Sequence, residues 1–506
     1  MSSNAVTLDR ISRIVGYKIT KGNFNESSPN LPQRIAILAE ANDANQATLV
    51  LTPQQITSAK QAATLFGAGS PIYAIARILL PVSGDGVGGI PVVVYPQARA
   101  AGATAKLLKI VPTGVATKNV THYLKIAGRD GIDGIFYAIN ISSGDNSAQI
   151  CQKIEDAVQA VFGSPVQADA DSYQVILTSK WRGLTAEGLV VSVDTNGNAA
   201  GMSYAVSYPQ AGSGTPSIAG ALAQFGSDWN TIVVNSYGLE TTTIAALMAF
   251  NGIPDPASPT GRFAGIIMKP FIAISGSVAD DPSSITDLYS DDVTIAVAPA
   301  PGSAGLAMEA AANMTLLFAL QAQNSPQSDV SGQSYPDMPV STTWAGATMS
   351  NYNGRDVIVK KGCSTVDLIA ERYQVQDFVT TYHPAGEVPP QFRYCRNINI
   401  DLNVRYGYYL LELINVVDHA IAADEDTVTA DNIVKPKMWK SVVDQYADDL
   451  AKRALIVQPG FMQSSITVSI GTSNPDRLET FFRYKRSGFA RIASTTAEAG
   501  FNFGTL

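Results

Sequence analysis

The chain has 506 residues, of which 46% are hydrophobic and only 15% charged, with a formal net charge of −8. That length asks for roughly two to four domains, and the apolar content supplies large cores without covalent staples. The acidic balance argues against nucleic-acid binding, and a charged fraction below the roughly 25% typical of soluble domains favours a subunit that buries its outside against copies of itself over an Ala/Gly/Ser-rich monomer.

Cys151, Cys363 and Cys395 are odd in number and far apart. They make neither a disulfide framework nor a zinc pattern, and a reducing compartment is the simple inference. The opening MSSNAVTLDR lacks the apolar run of a secretory signal. The most apolar long window, residues 302–322, contains Glu309, Asn313 and Gln321. It reads as a buried small-residue helix rather than a membrane span.

Residues 1–30 are polar around one strand-like piece at 11–19, and end in the turn-forming run 25–32. So short a strand cannot bury itself alone. It is either a frayed terminus or an arm that adds a strand to a neighbour's sheet edge. Residues 34–39 (RIAILA) read as a buried strand. Thr52-Pro53-Gln54-Gln55 has the form of a capping box with proline in the first turn, starting a helix to about Leu65. A second helix at 72–80 and a strand at 92–95 follow, the opening of an α/β domain. Residues 105–208 change character: short strands at 107–111, 122–127, 136–141, 174–178 and 189–193, interrupted by one helix at 146–162. The α/β pattern resumes with helix 218–224, strand 231–235, helix 241–250, strands 265–269 and 293–298, and helix 304–322. A Ser/Gln/Pro-rich stretch, 323–339, reads as a linker or surface loop.

The C-terminal block opens with an expected strand at 356–360 and an expected helix at 366–380. Its clearest signal is residues 394–421. Ile398, Ile400, Leu402, Val404 and Tyr406 alternate with polar residues, the pattern of a half-buried strand. After Gly407 the apolar spacing turns helical at Leu410, Ile414, Val417 and Ile421. A helix from Pro436 is expected to bury Met438, Val442, Tyr446, Leu450 and Ala454. Ile466, Val468 and Ile470 then alternate as a strand with a hairpin partner at 478–484. Residues 488–506 make a second candidate arm.

The chemical motifs are decoys. Gly84-Asp-Gly86-Val-Gly-Gly89 matches a dinucleotide fingerprint literally, but a helix precedes it and a strand follows, the reverse of what a pyrophosphate site needs. There is no phosphate-binding GxxxxGK[ST] loop and no GxSxG nucleophile elbow. His122, His383 and His419 lack paired spacing. The doublets Asp280-Asp281, Asp291-Asp292 and Asp448-Asp449 diverge on any regular element. No catalytic, cofactor or metal residues are therefore assigned. The one basic concentration, Arg477, Arg483, Lys485, Arg486 and Arg491, interleaved with Phe481, Phe482, Tyr484 and Phe489, reads as an interface edge selecting an acidic partner.

FRYCRNINIDLNVRYGYYLLE (392–412), ADNIVKPKMWKSVVDQYADDLAKRALI (430–456) and TSNPDRLETFFRYKRSGFARI (472–492) resemble the tail sheath proteins of contractile-tailed, Mu-like phages. The similarity is clearest over 355–500, looser over the α/β part and weakest over 105–208. The resemblance implies a virion structural protein, assembled in the host cytoplasm. It would polymerise as a helical, six-fold homo-oligomer of stacked rings around a tail tube protein, with baseplate and tail terminator proteins as further partners. It implies no cofactor, no enzyme activity, no nucleic-acid partner and no direct membrane insertion. The organisation so implied is an arm (1–30), a discontinuous α/β domain (31–104 and 209–338) with an inserted β-rich domain (105–208), a tube-facing α+β domain (339–487) completed by strands from neighbours, and a C-terminal arm (488–506). The arms carry Ile11, Arg13, Val15, Tyr17, Ile19, Phe489, Arg491 and Ile492. The acceptor sheet carries Ile398, Ile400, Leu402, Val404, Ile466, Val468, Phe482 and Tyr484. Lys435, Lys437 and Lys440 are the tube-facing candidates. Energy for contraction would be stored at assembly, since no nucleotide loop is present.

Overall fold

Five short runs rich in Ile, Val and Ala and one short edge, Gln54–Ile56, between Ile35 and Pro299, pair into one sheet in the order Ile295–Pro299, Ile272–Ser277, Ile232–Asn235, Ile35–Glu40, Val92–Gln97, Gln54–Ile56. All neighbours are parallel except the last pair. This is seen in a computed structural model that describes residues 29–84, 86–264 and 268–499. The chain divides into two compact units. The larger holds Asn30–Tyr406, Ala454–Val457 and the described residues from Lys485 onward, and the smaller holds Gly407–Arg453 and Gln458–Tyr484 together with Pro29. The fold is mixed α/β with several small sheets.

Parallel strands buried on both faces lose the apolar/polar alternation and read as continuous apolar runs. Ile35, Ile37, Val92, Val94, Ile232 and Ile274 face one core with the helices Ala59–Phe66, Pro71–Leu79 and Ala307–Asn324. Ala36, Leu38, Val93, Val233 and Ala273 face the other, with Leu222, Phe225, Ile244 and Leu247. Helix Ala307–Asn324 lies directly on strand Ile272–Ser277: a Cβ at Gly276 would stand 1.6 Å from the Ala307 carbonyl oxygen, so only glycine fits.

Residues 105–210 add two antiparallel sheets. One runs Met202–Gln210, Ala105–Gly114, Val175–Arg182, Val166–Ala170, and the other Val191–Asp194, Val120–Ile126, Ala138–Ile141. Helix Ser147–Ala160, with a full capping box at Asn146 and Gln149, buries Ile150, Cys151, Ile154 and Val158 against them. The strands Val166–Ala170 and Met202–Gln210 were not expected from the sequence.

Several expectations fail locally, each for a physical reason. Residues 54–56 are an edge strand on Val92–Val94, and the helix starts only at Ala59, capped by Ser58, which accepts from the Gln61 amide at 3.2 Å. Met268 and Lys269 lie in no strand; the strand is Ile272–Ser277, while 265–267 fall outside the described residues. Residues 356–360 are the end of helix Tyr352–Lys360, capped by Asn351. The expected helix at 366–380 is a hairpin, Thr365–Ile369 with Arg372–Asp377. Its turn sets Ala370 at φ 50° and Glu371 at φ 58°, a left-handed pair usually signalled by Asn-Gly.

The stretch 323–339 is no loose linker. Val330 and Tyr335 are buried, Tyr335 N donates to the Tyr373 carbonyl at 2.8 Å, and Asp337 N donates to Asn313 Oδ1 at 3.0 Å. Residues 395–406 are helical, within Cys395–Asn415, not a strand.

Candidate assembly surface

Helix Pro436–Lys452 in the smaller unit starts on a proline whose missing N–H costs nothing there. It buries Trp439, Val443, Tyr446, Ala447 and Leu450. The apolar stripe is thus turned about one residue from the expected one, and Met438 is 51% exposed. Trp439 Nε1 donates to Thr480 Oγ1 at 3.0 Å, and the Tyr408 ring stands 5.7 Å from Trp439 and 5.1 Å from Phe482. These contacts seat the expected hairpin. Thr467–Ile470 pairs antiparallel with Leu478–Phe481, from Thr467 opposite Phe481 to Ile470 opposite Leu478. Val468 lies in the first strand, Ile466 is buried just before it, and Phe482 and Tyr484 follow the second.

Among the described residues neither strand pairs with a third. Among those residues both outer edges carry backbone groups without a strand partner, and a hairpin alone is marginally stable. Leu413, Ile414, Val417, Met438 and Phe481 are exposed in the same unit.

Ile398, Ile400, Leu402 and Val404, expected in the acceptor sheet, sit instead on the helix Cys395–Asn415 and are buried. The helix makes its own backbone hydrogen bonds, so these residues offer no ladder to an added strand. Ile11, Arg13, Val15, Tyr17 and Ile19 lie outside the described residues.

The three lysines differ. Lys435 Nζ donates to the Asp426 carbonyl. Lys440 Nζ donates to the Ile466 carbonyl at 2.9 Å and the Gln463 carbonyl at 3.4 Å, satisfying the open end of helix Pro459–Ser465. Lys437 is exposed.

The basic strip does not form one edge. Arg477 pairs with Glu479 at 3.1 Å, and Arg483 lies over the Phe481 ring. Arg486 and Arg491 belong to the larger unit. There Lys485–Arg486 pairs with Ile456–Val457, and Arg486 grips Asp401 with two bonds of 2.6 Å. Arg396, 3% exposed, donates to the Ser487 carbonyl at 2.9 Å and the Ser487 hydroxyl at 2.7 Å. Arg491 is ion-paired with Asp329 and, at 3.4 Å, with Asp377, and its guanidinium covers the Tyr394 ring at 3.8 Å. Phe489 is 42% and Ile492 91% exposed. The chain is thus clamped to its own body as far as Arg491.

The histidines and aspartate doublets serve local structure. His122 is buried between the Tyr204 hydroxyl and the Asn198 carbonyl, His383 lies between the Thr381 carbonyl and Asp287, and His419 meets the Val417 carbonyl. Asp292 accepts from the Thr294 and Ile295 amides. Sequence reasoning missed a buried ion network. Arg77 and Arg129 share Glu309 and Asp337, with Arg129 3.1 Å from Glu309 and Arg77 2.9 Å from Asp337. The one signal was Glu309, the only charged residue of the largely apolar helix Ala307–Asn324.

No family model matches this chain, and no curated protein matches it. Among solved structures it is similar to the sheath tail protein from Desulfitobacterium hafniense, at 11% identity and a TM-score of 0.43, over 93% of this chain and 100% of that one. It is also similar to the helical sheath of the anti-feeding prophage in its contracted state, at 9% identity and a TM-score of 0.42, over 98% and 100% of the two chains. Among the described residues no helix is long and apolar enough to cross a membrane.

Proposed function

We propose that this chain is a structural subunit of a contractile tail sheath. It would polymerise with copies of itself as stacked six-fold rings around a tail tube, bounded by baseplate and terminator proteins. The reading has two supports: the three C-terminal phrases that resemble phage sheath proteins, and the hairpin Thr467–Ile470/Leu478–Phe481, open on both edges among the described residues. The hairpin carries the argument from structure. Open edges beside exposed apolar side chains are what a strand from another copy would cover. A subunit that lends a strand to the next makes a heterologous contact, which yields rings or helices rather than closed dimers.

In this reading residues 1–30 and 488–506 are the arms, 339–487 face the tube, and 105–208 face outward. Phe489 and Arg491 would leave their own Asp329–Asp377 seat for the equivalent seat of a neighbour. The acceptor reduces to the hairpin, since 395–406 is helical. The chain is given no catalytic role.

Electron microscopy of the purified protein tests the reading. Long hollow cylinders are expected; closed shells or dispersed monomers overturn it. Deleting residues 1–20 should leave folded chains that form no cylinders, and normal polymers from that deletion would refute the arm.

A further inference from the structure

Arg396 sits in the first turn of helix Cys395–Asn415 and is buried. Among the described residues its N–H groups go to neutral acceptors. These are the Gln327 carbonyl, the Ser487 carbonyl at 2.9 Å and hydroxyl at 2.7 Å, Asn397 Oδ1 at 3.4 Å and the Gly488 carbonyl at 3.5 Å. Its hydrogen bonding is thus met, but its charge is not. The neighbouring arginines differ: Arg486 holds Asp401, and Arg491 is ion-paired with Asp329 and Asp377. The Phe489 ring, 5.6 Å from the Arg396 guanidinium, is a partial counterweight without net charge. Burial alone pulls this guanidinium below its ordinary value. A buried cation is costly unless an anion accompanies it.

Arg396 also lines a pocket of about 350 Å³. Its charged lining residues are Arg396, Arg486 and Arg491, and among the described residues no aspartate or glutamate lines it. Asn397 and Gly488 line it too. They are the acceptors of the two longest Arg396 bonds, one on each terminal nitrogen. The loosely held N–H groups are therefore those at the border of the pocket, where a stronger acceptor can take them over. The first turn of the helix carries no acid, and its amide end adds a small positive potential.

The pocket's walls choose among anions. Pro389, Pro390, Tyr394 and Phe489 give it apolar faces, and its volume exceeds that of a bare ion. One uncompensated cation asks for one negative charge. A phosphate dianion would exchange an unpaired positive charge for an unpaired negative one.

We propose that this pocket binds a carboxylate on an apolar stem, its oxygens taking the loosely held Arg396 N–H groups and its stem lying along Pro389, Tyr394 and Phe489. The group arrives either on a free organic acid or on an aspartate or glutamate side chain of a second copy. Binding does not depend on the chain forming a sheath.

Isothermal titration of the full chain with phenylacetate, in a buffer free of other carboxylates, tests this. Saturable binding is expected, weakened roughly tenfold or more for the uncharged isostere phenylacetamide and in Arg396→Gln, through loss of a charge-assisted hydrogen bond. Asn397→Asp leaves Arg396 in place and sets a carboxylate beside it. It should abolish binding, and it keeps the test open should Arg396→Gln fail to fold. Circular dichroism and thermal melts of both variants report folding. Sedimentation of the wild type with and without phenylacetate separates the sources. Loss of self-association assigns the pocket to a neighbour's acidic side chain, and unchanged sedimentation assigns it to a free acid. No saturable binding by the wild type, equal affinity for phenylacetamide, tighter binding of inorganic phosphate, or full affinity in folded Asn397→Asp overturns the proposal.

Discussion

Replacing Arg129 by methionine keeps most of the side-chain stem and removes the guanidinium that joins Glu309 to Asp337. Arg129 is 13% and Glu309 5% exposed at the side chain, so the pair is buried. Glu309 would keep the Leu306 amide, at 3.0 Å, and a single cation, Arg77, at 3.6 Å. Breaking a buried pair from one side costs about 3–5 kcal/mol. Asp337 is 36% exposed and retains Arg77, so the low end, about 3 kcal/mol, applies. The consequence should be local, since Asp337 fastens the 325–339 stretch. Amide exchange of Tyr335 and Asp337, whose N–H groups bond to Tyr373 and Asn313, should accelerate roughly a hundredfold. The double variant Arg129→Met/Glu309→Met removes both charges and should fall short of the summed single effects by about 2 kcal/mol. Strict additivity, or unchanged exchange in Arg129→Met, would refute the ion-network account. The network also sets a pH dependence. Burial raises the Asp337 carboxyl, but Arg129 and Arg77 outweigh it and hold it below the usual carboxylate range. A depressed folded value gives stability that is present above the ordinary carboxylate value and lost as pH falls through the folded one. Protection of these two amides should therefore decline below about pH 4.

Glu40 has the opposite sign. Its folded value, pushed up to about 8 by burial, exceeds the unfolded one, so its contribution is fully present below about pH 4 and lost as pH rises towards 8. Melting temperatures across that window should fall for the wild type and stay flatter for Glu40→Gln; parallel curves would sink the assignment. Arg491→Ala strands Asp329, whose side chain is 2% exposed. It should release residues 488–499 to protease while the far-UV spectrum stays unchanged, and intact resistance would argue against the clamp. Gly407→Leu drives a side chain into Tyr446, whose hydroxyl oxygen lies 2.6 Å from where a Cβ would stand. Overpacking should destabilise the smaller unit by about 1–3 kcal/mol, read as faster exchange in helix Pro436–Lys452; no change would mean that this packing is unimportant.

The six-stranded sheet was largely legible because burial on both faces writes itself as short apolar runs. Expected strands at 34–39, 92–95, 231–235 and 293–298 correspond to Ile35–Glu40, Val92–Gln97, Ile232–Asn235 and Ile295–Pro299. Ile272–Ser277 was hidden by its composition, IAISGS: its glycine and serines serve close helix packing and polar contacts inside the core. The 325–339 stretch has a linker's composition but not a linker's role. Three anchors, Val330, Tyr335 and Asp337, hold it, and no short-range pattern encodes contacts with partners that distant in the chain. The hairpin at 467–481 was legible because one face is half-buried and the other exposed, the condition under which period-two alternation survives.

The helix Cys395–Asn415 shows how a clean alternation misleads. Ile398, Ile400, Leu402 and Val404 are buried, but so are Asn399 and Asn403 between them and Arg396 just before. Asn403 donates to the Asn399 carbonyl at 2.8 Å and accepts from the Leu31 amide at 2.9 Å, while Arg396 is satisfied by Ser487 and Gln327. Polar residues taken for the solvent face of a strand are thus hydrogen-bonded parts of a nearly encircled helix. The half-exposed residues Asn397, Asp401 and Arg405 are each four apart, which is the helical stripe. Period two and period four coincide at every second polar position, so alternation alone does not choose between them. What chooses is whether the remaining polar side chains find partners inside, and that depends on segments at Leu31, Gln327 and Ser487, far from the helix in sequence. The same logic places the assembly argument on the hairpin. A helix whose backbone is already satisfied has nothing to lend an incoming strand, whereas among the described residues Thr467–Ile470 and Leu478–Phe481 each have one edge without a strand partner.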